Sequence, residues 1–141
     1  MPITQDNYTT VVNVSPQIKL GRGLFDYRGS GFFDESYIAA DTNGNKYVDP
    51  GMIIAWAAVA DDATYGATYK FVPYESGGSY GVNSDVAYGI LDVRLNATLD
   101  GEAVSALYHG QLQERNIYVY GGTVGTVPAA VKTALPDIDW A

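Results

Sequence analysis

The sequence predicts a mainly β fold: a small barrel or sandwich-like body, one short C-terminal helix and an extended N-terminal arm. Three observations carry this. The chain has 12 Tyr and 16 Gly in 141 residues, and Tyr favours strands while Gly favours the turns between them. Apolar runs of strand length alternate with the turn signals Asn43-Gly44, Asp49-Pro50-Gly51 and Asp100-Gly101. Helical periodicity shows near the C-terminus, over Ala129 to Leu135.

In chain order, the polar start gives way to Tyr8-Thr9-Thr10-Val11-Val12-Asn13-Val14, a run dense in β-branched residues. Pro16 breaks it. Gly21-Arg22-Gly23 and Arg28-Gly29-Ser30-Gly31 follow, with Phe25, Tyr27, Phe32 and Phe33 between and after them. This first region, residues 1–36, reads as the arm and its linker, and residues 37–141 as the β-rich body. In the body, Met52 to Val59 is a continuous apolar run whose flanking turns and Ile53-Ile54 favour a strand. Tyr69 to Tyr74 meets Pro73, which places it at a sheet edge or a strand end. Ser76 to Gly81 reads as a flexible loop. Val86 to Val93, Val104 to Leu112 and Ile117 to Tyr120 read as further strands. Thr126 is the expected N-cap of the helix, with Pro128 in its first turn. Val127, Val131 and Leu135 then share one face, and Pro136 ends it. Trp56 is expected in the core. Trp140 is expected to dock on the body or on a neighbour.

Composition narrows the function. Sixteen acidic and 8 basic side chains leave a net charge of −8, spread without a basic run. A phosphate backbone or an anionic membrane would repel such a chain, so neither nucleic acid nor membrane is an expected partner. The most apolar window, Met52 to Ala60, is too short to cross a bilayer. With no Cys, disulfides, Cys-ligated zinc and a thiol nucleophile are excluded. The polar N-terminus lacks a secretory pattern, so synthesis in a cytoplasm is expected.

No constellation points to catalysis, and the chain is expected not to be an enzyme and to need no cofactor or metal. His109 is the single histidine and has no Ser in a nucleophile-elbow pattern to serve. From Asp41, the sixth and twelfth positions of a calcium loop would be Gly and Glu, but they are Lys46 and Met52. Asp34-Glu35, Asp61-Asp62 and Asp137/Asp139 are paired carboxylates that nothing selects as a glycosidase pair. The glycines match neither a Rossmann nor a Walker loop. What remains is tyrosine-rich surface, suited to stacking on sugars or anchoring an interface. A carbohydrate-binding β module is therefore one reading.

The order of motifs from Tyr37 onward supports another. Asn43 to Ala55 contains a turn, Pro50-Gly51 and then an apolar strand. Lys70-Phe71-Val72-Pro73-Tyr74-Glu75, Val86 to Val93 with its Gly89-Ile90-Leu91, Asn96-Ala97-Thr98, Ala103 to Leu112, and Val131 to Leu135 with Ile138 and Trp140 follow in turn. This series resembles the lambda-type phage head decoration protein family over roughly three quarters of the chain. Gln111-Leu112 stands where that family has Glu-Val, and residues 1–36 have no clear counterpart. The resemblance implies a homotrimer on the outer capsid surface of a virion, seated on the major capsid protein at local three-fold positions. It also implies an N-terminal segment that extends a capsid-protein sheet. Tyr8, Thr9, Thr10, Val11, Val12, Val14 and Ile18 are the residues this assigns to capsid binding, and their β-branched chemistry suits strand addition.

Overall fold

The structure is a computed structural model, and it describes residues 18–20, 24–62, 66–98 and 102–141. These residues form a mainly β body built on antiparallel pairing, with one short α-helix. The strands are β1 (Asp26–Phe32), β2 (Tyr47–Val48), β3 (Ile53–Asp62), β4 (Gly66–Pro73), β5 (Gly89–Ile90), β6 (Leu95–Asn96), β7 (Ala103–Leu112) and β8 (Ile138–Trp140). The helix, α1, is Ala129–Ala134. The main sheet runs β1-β7-β5-β3-β4, with β8 alongside β7, and β2 pairs β6 in a small second sheet. β8 is the parallel partner, matching Gly110 to Ile138 and Leu112 to Trp140. The main sheet does not close into a barrel. Its two ends touch where Phe33, just past β1, bridges Phe71 of β4.

The continuous apolar run of β3 has a simple cause: both of its faces are covered. Side chains alternate along a strand. Ile53 joins one core with Ile90, Leu107, Leu112, Val131 and Leu135. Met52 and Ile54 join the other, with Phe33, Phe71, Leu91 and Leu95. α1 and β8 cover the first core, where Val131, Leu135 and Ile138 are buried. The small β2–β6 sheet and the loops around it cover the second, through Ile38, Val48, Leu95 and Ala97. Aromatic rings complete it. Trp56 lies 4.7 Å from Phe71 and Phe71 lies 5.9 Å from Tyr88, centroid to centroid. Gly31 makes room for Trp56, because a Cβ there would come within 2.6 Å of the indole.

Several expectations change. The arm does not extend to residue 36. β1 pairs with β7 in the main sheet, Phe33 lies in a core, and Ile18 is buried among Ile53, Leu112 and Ile117. Gly29 and Gly31 let β1 lie close under Tyr88 and Trp56, so glycines that read as linker serve close packing. Val86 to Val93 contributes only the two residues of β5. Ile117 to Tyr120 makes one parallel bridge, between Met52 and Tyr118, in place of a strand. Pro128, not Thr126, holds the N-cap position, and it makes no side-chain capping bond. Asn43-Gly44 forms a turn with Gly44 at φ +83, but β2 beyond it pairs with β6, so no hairpin results. The Ser76 to Gly81 loop is held by Glu75, whose carboxylate accepts from the Ser79 N–H at 2.8 Å and the Ser79 hydroxyl at 2.5 Å. The edge position expected of Pro73 is what β4 shows. The Asp100-Gly101 turn lies outside the described residues.

Candidate functional site

Of the residues assigned to capsid binding, Tyr8, Thr9, Thr10, Val11, Val12 and Val14 lie outside the described residues. Ile18 is 3% exposed and holds the body together, so it is not available to a partner surface.

Several of the groups singled out in the sequence are engaged locally. His109 Nδ1 is 2.8 Å from Asp26 Oδ2 across the β1–β7 pair, with both side chains half exposed. Asp34 accepts from the Ser36 N–H at 3.1 Å and the Ser36 hydroxyl at 2.6 Å, capping the short 3-10 turn Glu35–Tyr37. Asp41 accepts from the N–H groups of Asn43 and Asn45 at 2.8 and 2.9 Å, so it organises a turn. Asp139 accepts from the Gln111 amide at 3.2 Å. Among the described residues, no three His, Asp or Glu side chains gather as a metal site, and no helix is long and apolar enough to cross a membrane.

Two concave places stand out among the described residues. The first is open and wide, about 630 Å³, and contains Lys19, Tyr27 and Asp92 beside Ser30 and Ser105. Lys19 Nζ donates to the Tyr27 hydroxyl at 3.3 Å and lies 3.4 Å from Asp92 Oδ2. The Tyr27 hydroxyl donates to the same carboxylate. The hydrogen bond to Tyr27 is the main cause holding the Lys19 ammonium above its ordinary pKa, and the charge of Asp92 adds to it. Burial, then the bond to Asp92, raises Tyr27. A protonated Lys and a neutral phenol are the forms this arrangement favours. The cluster works as a clamp that ties residue 19 to β1 and to the segment after β5.

The second is a compact groove of about 320 Å³ beside β2. Its floor follows from Gly51. This residue has φ +104, and a Cβ on it would come within 2.2 Å of the Asn116 carbonyl oxygen. Only glycine lets the two backbones approach so closely. Gly51 then donates to the Leu91 carbonyl at 2.7 Å and accepts from the Tyr118 N–H at 3.0 Å. Ile53 N–H donates to the Tyr118 carbonyl at 2.9 Å. The segment 116–120 is thereby pinned along 50–53. In an extended segment, residues two apart face the same way, which directs both Tyr118 and Tyr120 to the groove. Tyr47, Asp49 and Pro50 line the other side. The turn at Gly121-Gly122, closed by the Gly122 N–H donating to the Val119 carbonyl at 2.8 Å, forms the end wall with Val124.

The polar groups at its edge are few. The Tyr118 hydroxyl donates to the Asp49 carbonyl at 2.8 Å. The Tyr120 hydroxyl accepts from the Ala39 N–H at 2.8 Å. Arg94 stacks 4.9 Å over the Tyr47 ring and stands 3.7 Å from Asp49 Oδ1. Burial, with the nearby charge of Asp49, pushes the Tyr118 phenol far above its ordinary value. The phenol is therefore neutral at neutral pH.

The sequence reading missed this groove. The signal it offered was Tyr118-x-Tyr120 followed by Gly121-Gly122. Nothing local joins that to Tyr47 and Asp49, because the link is made by Gly51. Comparison of the chain with protein families, curated proteins and solved structures gives no match.

Proposed function

We propose that this protein decorates the outer surface of an expanded phage head and stabilises the shell against internal DNA pressure. Its role is structural, without a catalytic step. It acts as a homotrimer on the major capsid protein at local three-fold positions, with its N-terminal segment adding a strand to a capsid-protein sheet. The observation that carries the reading is the ordered motif series from Asn43 to Trp140. The same series supplies the strands of one continuous β7-β5-β3-β4 unit, with α1 and β8 on top. A net charge of −8 suits a position outside the shell, away from DNA.

The attachment is a sum of small terms. Burying Val11, Val12 and Val14 would contribute about 1.5–3 kcal/mol each. Ordering the backbone costs about 1–2 kcal/mol per residue. One segment is then marginal, and three on a trimer bind firmly through avidity. Because Ile18 belongs to the core, the deletion that isolates this contribution removes Met1–Pro16 and stops there.

The test is co-sedimentation with expanded and unexpanded shells of the protein's own phage, with solution mass by light scattering. The expected results are a three-chain mass and binding to expanded shells, with much weaker binding by the deletion variant. Failure of the full chain to bind expanded shells ends the decoration reading. Equal binding by the deletion variant removes the N-terminal segment from it.

A further inference from the structure

We propose that the groove between β2 and residues 116–124 is a binding site for a neutral pyranose sugar. The inference stands on the groove alone and does not depend on the capsid reading.

Size comes first. Small-ligand sites begin at about 300 Å³, so a groove of about 320 Å³ takes one or two sugar rings. Its surface chemistry comes second. A pyranose has apolar C–H faces and a rim of hydroxyls, so it needs aromatic faces with donors and acceptors at their edges. Tyr47, Tyr118 and Tyr120 supply the rings, and Tyr47 is 49% exposed. The polar complement is specific. Asp49 is an acceptor, because Arg94 at 3.7 Å is beyond hydrogen-bond reach of Oδ1. The Tyr118 oxygen spends its proton on the Asp49 carbonyl and keeps its lone pairs for a sugar hydroxyl. The Tyr120 oxygen accepts from Ala39 and keeps its proton to donate. Sugar hydroxyls, each both donor and acceptor, meet all three.

Charge selects among sugars. The carboxylate of Asp49 at the rim and a chain charge of −8 disfavour sialic acids and sugar phosphates. Arg94 is stacked on Tyr47 and set beside Asp49, so its charge is already partnered and does not draw in an anionic sugar. Preorganisation favours binding. The walls are tied by backbone hydrogen bonds of 2.7–3.0 Å and by the Gly51–Asn116 approach, so little ordering is needed when the ligand enters.

The experiment is a titration of the free, isotope-labelled full chain with glucose, galactose and N-acetylglucosamine, read by amide chemical shifts. Sialic acid serves as the charged comparison. The expected result is saturable shifts of the Asn116, Tyr118, Gly121 and Gly122 amides by at least one neutral sugar. The Kd should be on the order of 1 mM. Tyr47→Ala should weaken binding about tenfold or more, which corresponds to the loss of one stacked ring. Asp49→Asn gives a second variant with minimal change of shape, and it should weaken binding while leaving the amide spectrum otherwise intact. No saturable shift at these amides by any neutral sugar at about fifty times that concentration overturns the proposal. So does equal binding of sialic acid. Shifts of the groove amides that follow protein concentration instead of sugar assign the groove to self-association and also overturn it. Because no capsid is present, failure here leaves the decoration reading untouched.

Discussion

The two faces of the main sheet are closed in different ways. The face under α1 and β8 has an aliphatic centre: Ile53, Ile90, Leu107, Leu112, Val131 and Leu135 are all at most 1% exposed, and Tyr74, Phe25, Tyr108 and Trp140 pack around them. Regular elements seal it, and their own backbone groups are paired within the helix and with β7. The opposite face is closed by the two-residue strands β2 and β6, by loops and by aromatic rings resting on glycines. Trp56 sits against Gly31, and Tyr88 against Gly29. A loop brings its unpaired carbonyls and N–H groups with it, so the side chains that finish such a face must have polar ends. Tyrosine meets that need: Tyr118 reaches the Asp49 carbonyl and Tyr120 reaches the Ala39 N–H. The groove lies at the edge of this second face. Regular elements gave a sealed core, and loops with tyrosines gave a surface with recognition chemistry.

Truncating one large side chain on each face breaks this comparison most directly. Phe71→Ala removes a ring packed against Trp56 and Tyr88, at the residue where the two ends of the sheet meet. It should cost about 3–5 kcal/mol. Leu135→Ala empties a site at the end of a six-residue helix, where the chain can settle inward, and should cost nearer to 2 kcal/mol. Urea denaturation of both variants checks the order. A larger loss at Leu135 would make the helix-covered face the keystone and invert the comparison.

Gly51→Ala sharpens it at the groove. The new methyl would meet the Asn116 carbonyl oxygen at 2.2 Å with φ at +104, so backbone must move. The expected loss is about 3 kcal/mol, with amide shifts concentrated at residues 116–120. Gly44→Ala is the comparison. Gly44 also has positive φ, at +83, but nothing lies near its Cβ position. Only the backbone term applies there, about 1 kcal/mol. Equal losses would mean that close approach contributes nothing and that the groove floor is not set by Gly51.

These differences explain what the sequence made legible. β3 and β7 are long, and their apolar residues are continuous or alternate over many positions, so pattern alone located them. The same pattern failed for Val86 to Val93 and for Ile117 to Tyr120. Both are apolar because they line cores, and neither finds a long partner. Gly89 lies against Ala106, with a Cβ position 2.5 Å away. β5 therefore touches the sheet over two residues, and Val86 and Val93 at either end of the segment are half exposed. β8 was invisible because three residues carry no period. The reading of residues 1–36 as arm failed at β1 because Gly29 and Gly31 carry no side chain to show burial. The groove was illegible for a further reason. Tyr47 and Tyr118 are far apart in sequence, and the glycine that unites them looks like any turn glycine.

Smaller effects come from the clamp at Lys19. Both Lys19 and Tyr27 hold their protons more tightly in the folded chain than at their ordinary values of 10.5 and 10.0. The folded state thus favours the protonated forms. Their contribution is fully present below about pH 10 and is lost as pH rises through the raised values. Side chains more than a third exposed are screened, so Lys19→Met should cost under about 1 kcal/mol at neutral pH. It should also flatten the decline of stability above pH 10, measured by urea midpoints at a series of alkaline pH values. An unchanged alkaline slope would show that the clamp does not hold residue 19 to the body.

The subtlest test concerns Tyr118, where the loop-built face owes its polar finish to one hydrogen bond. Tyr118→Phe keeps the ring in place and removes only the donor to the Asp49 carbonyl. That bond should contribute about 1 kcal/mol, since the carbonyl it leaves is close to solvent. The pH dependence gives an independent check. Burial raises the Tyr118 pKa, so the folded chain favours its neutral form. The contribution is present below the ordinary tyrosine value of 10.0 and falls away only at more alkaline pH. In an absorbance titration of phenolate formation, the wild-type chain should show a last component that appears together with alkaline unfolding. That component should be missing from the Phe variant. If the variant loses no stability yet the component disappears, the ring packing alone closes this face, and the hydroxyl is there for whatever enters the groove.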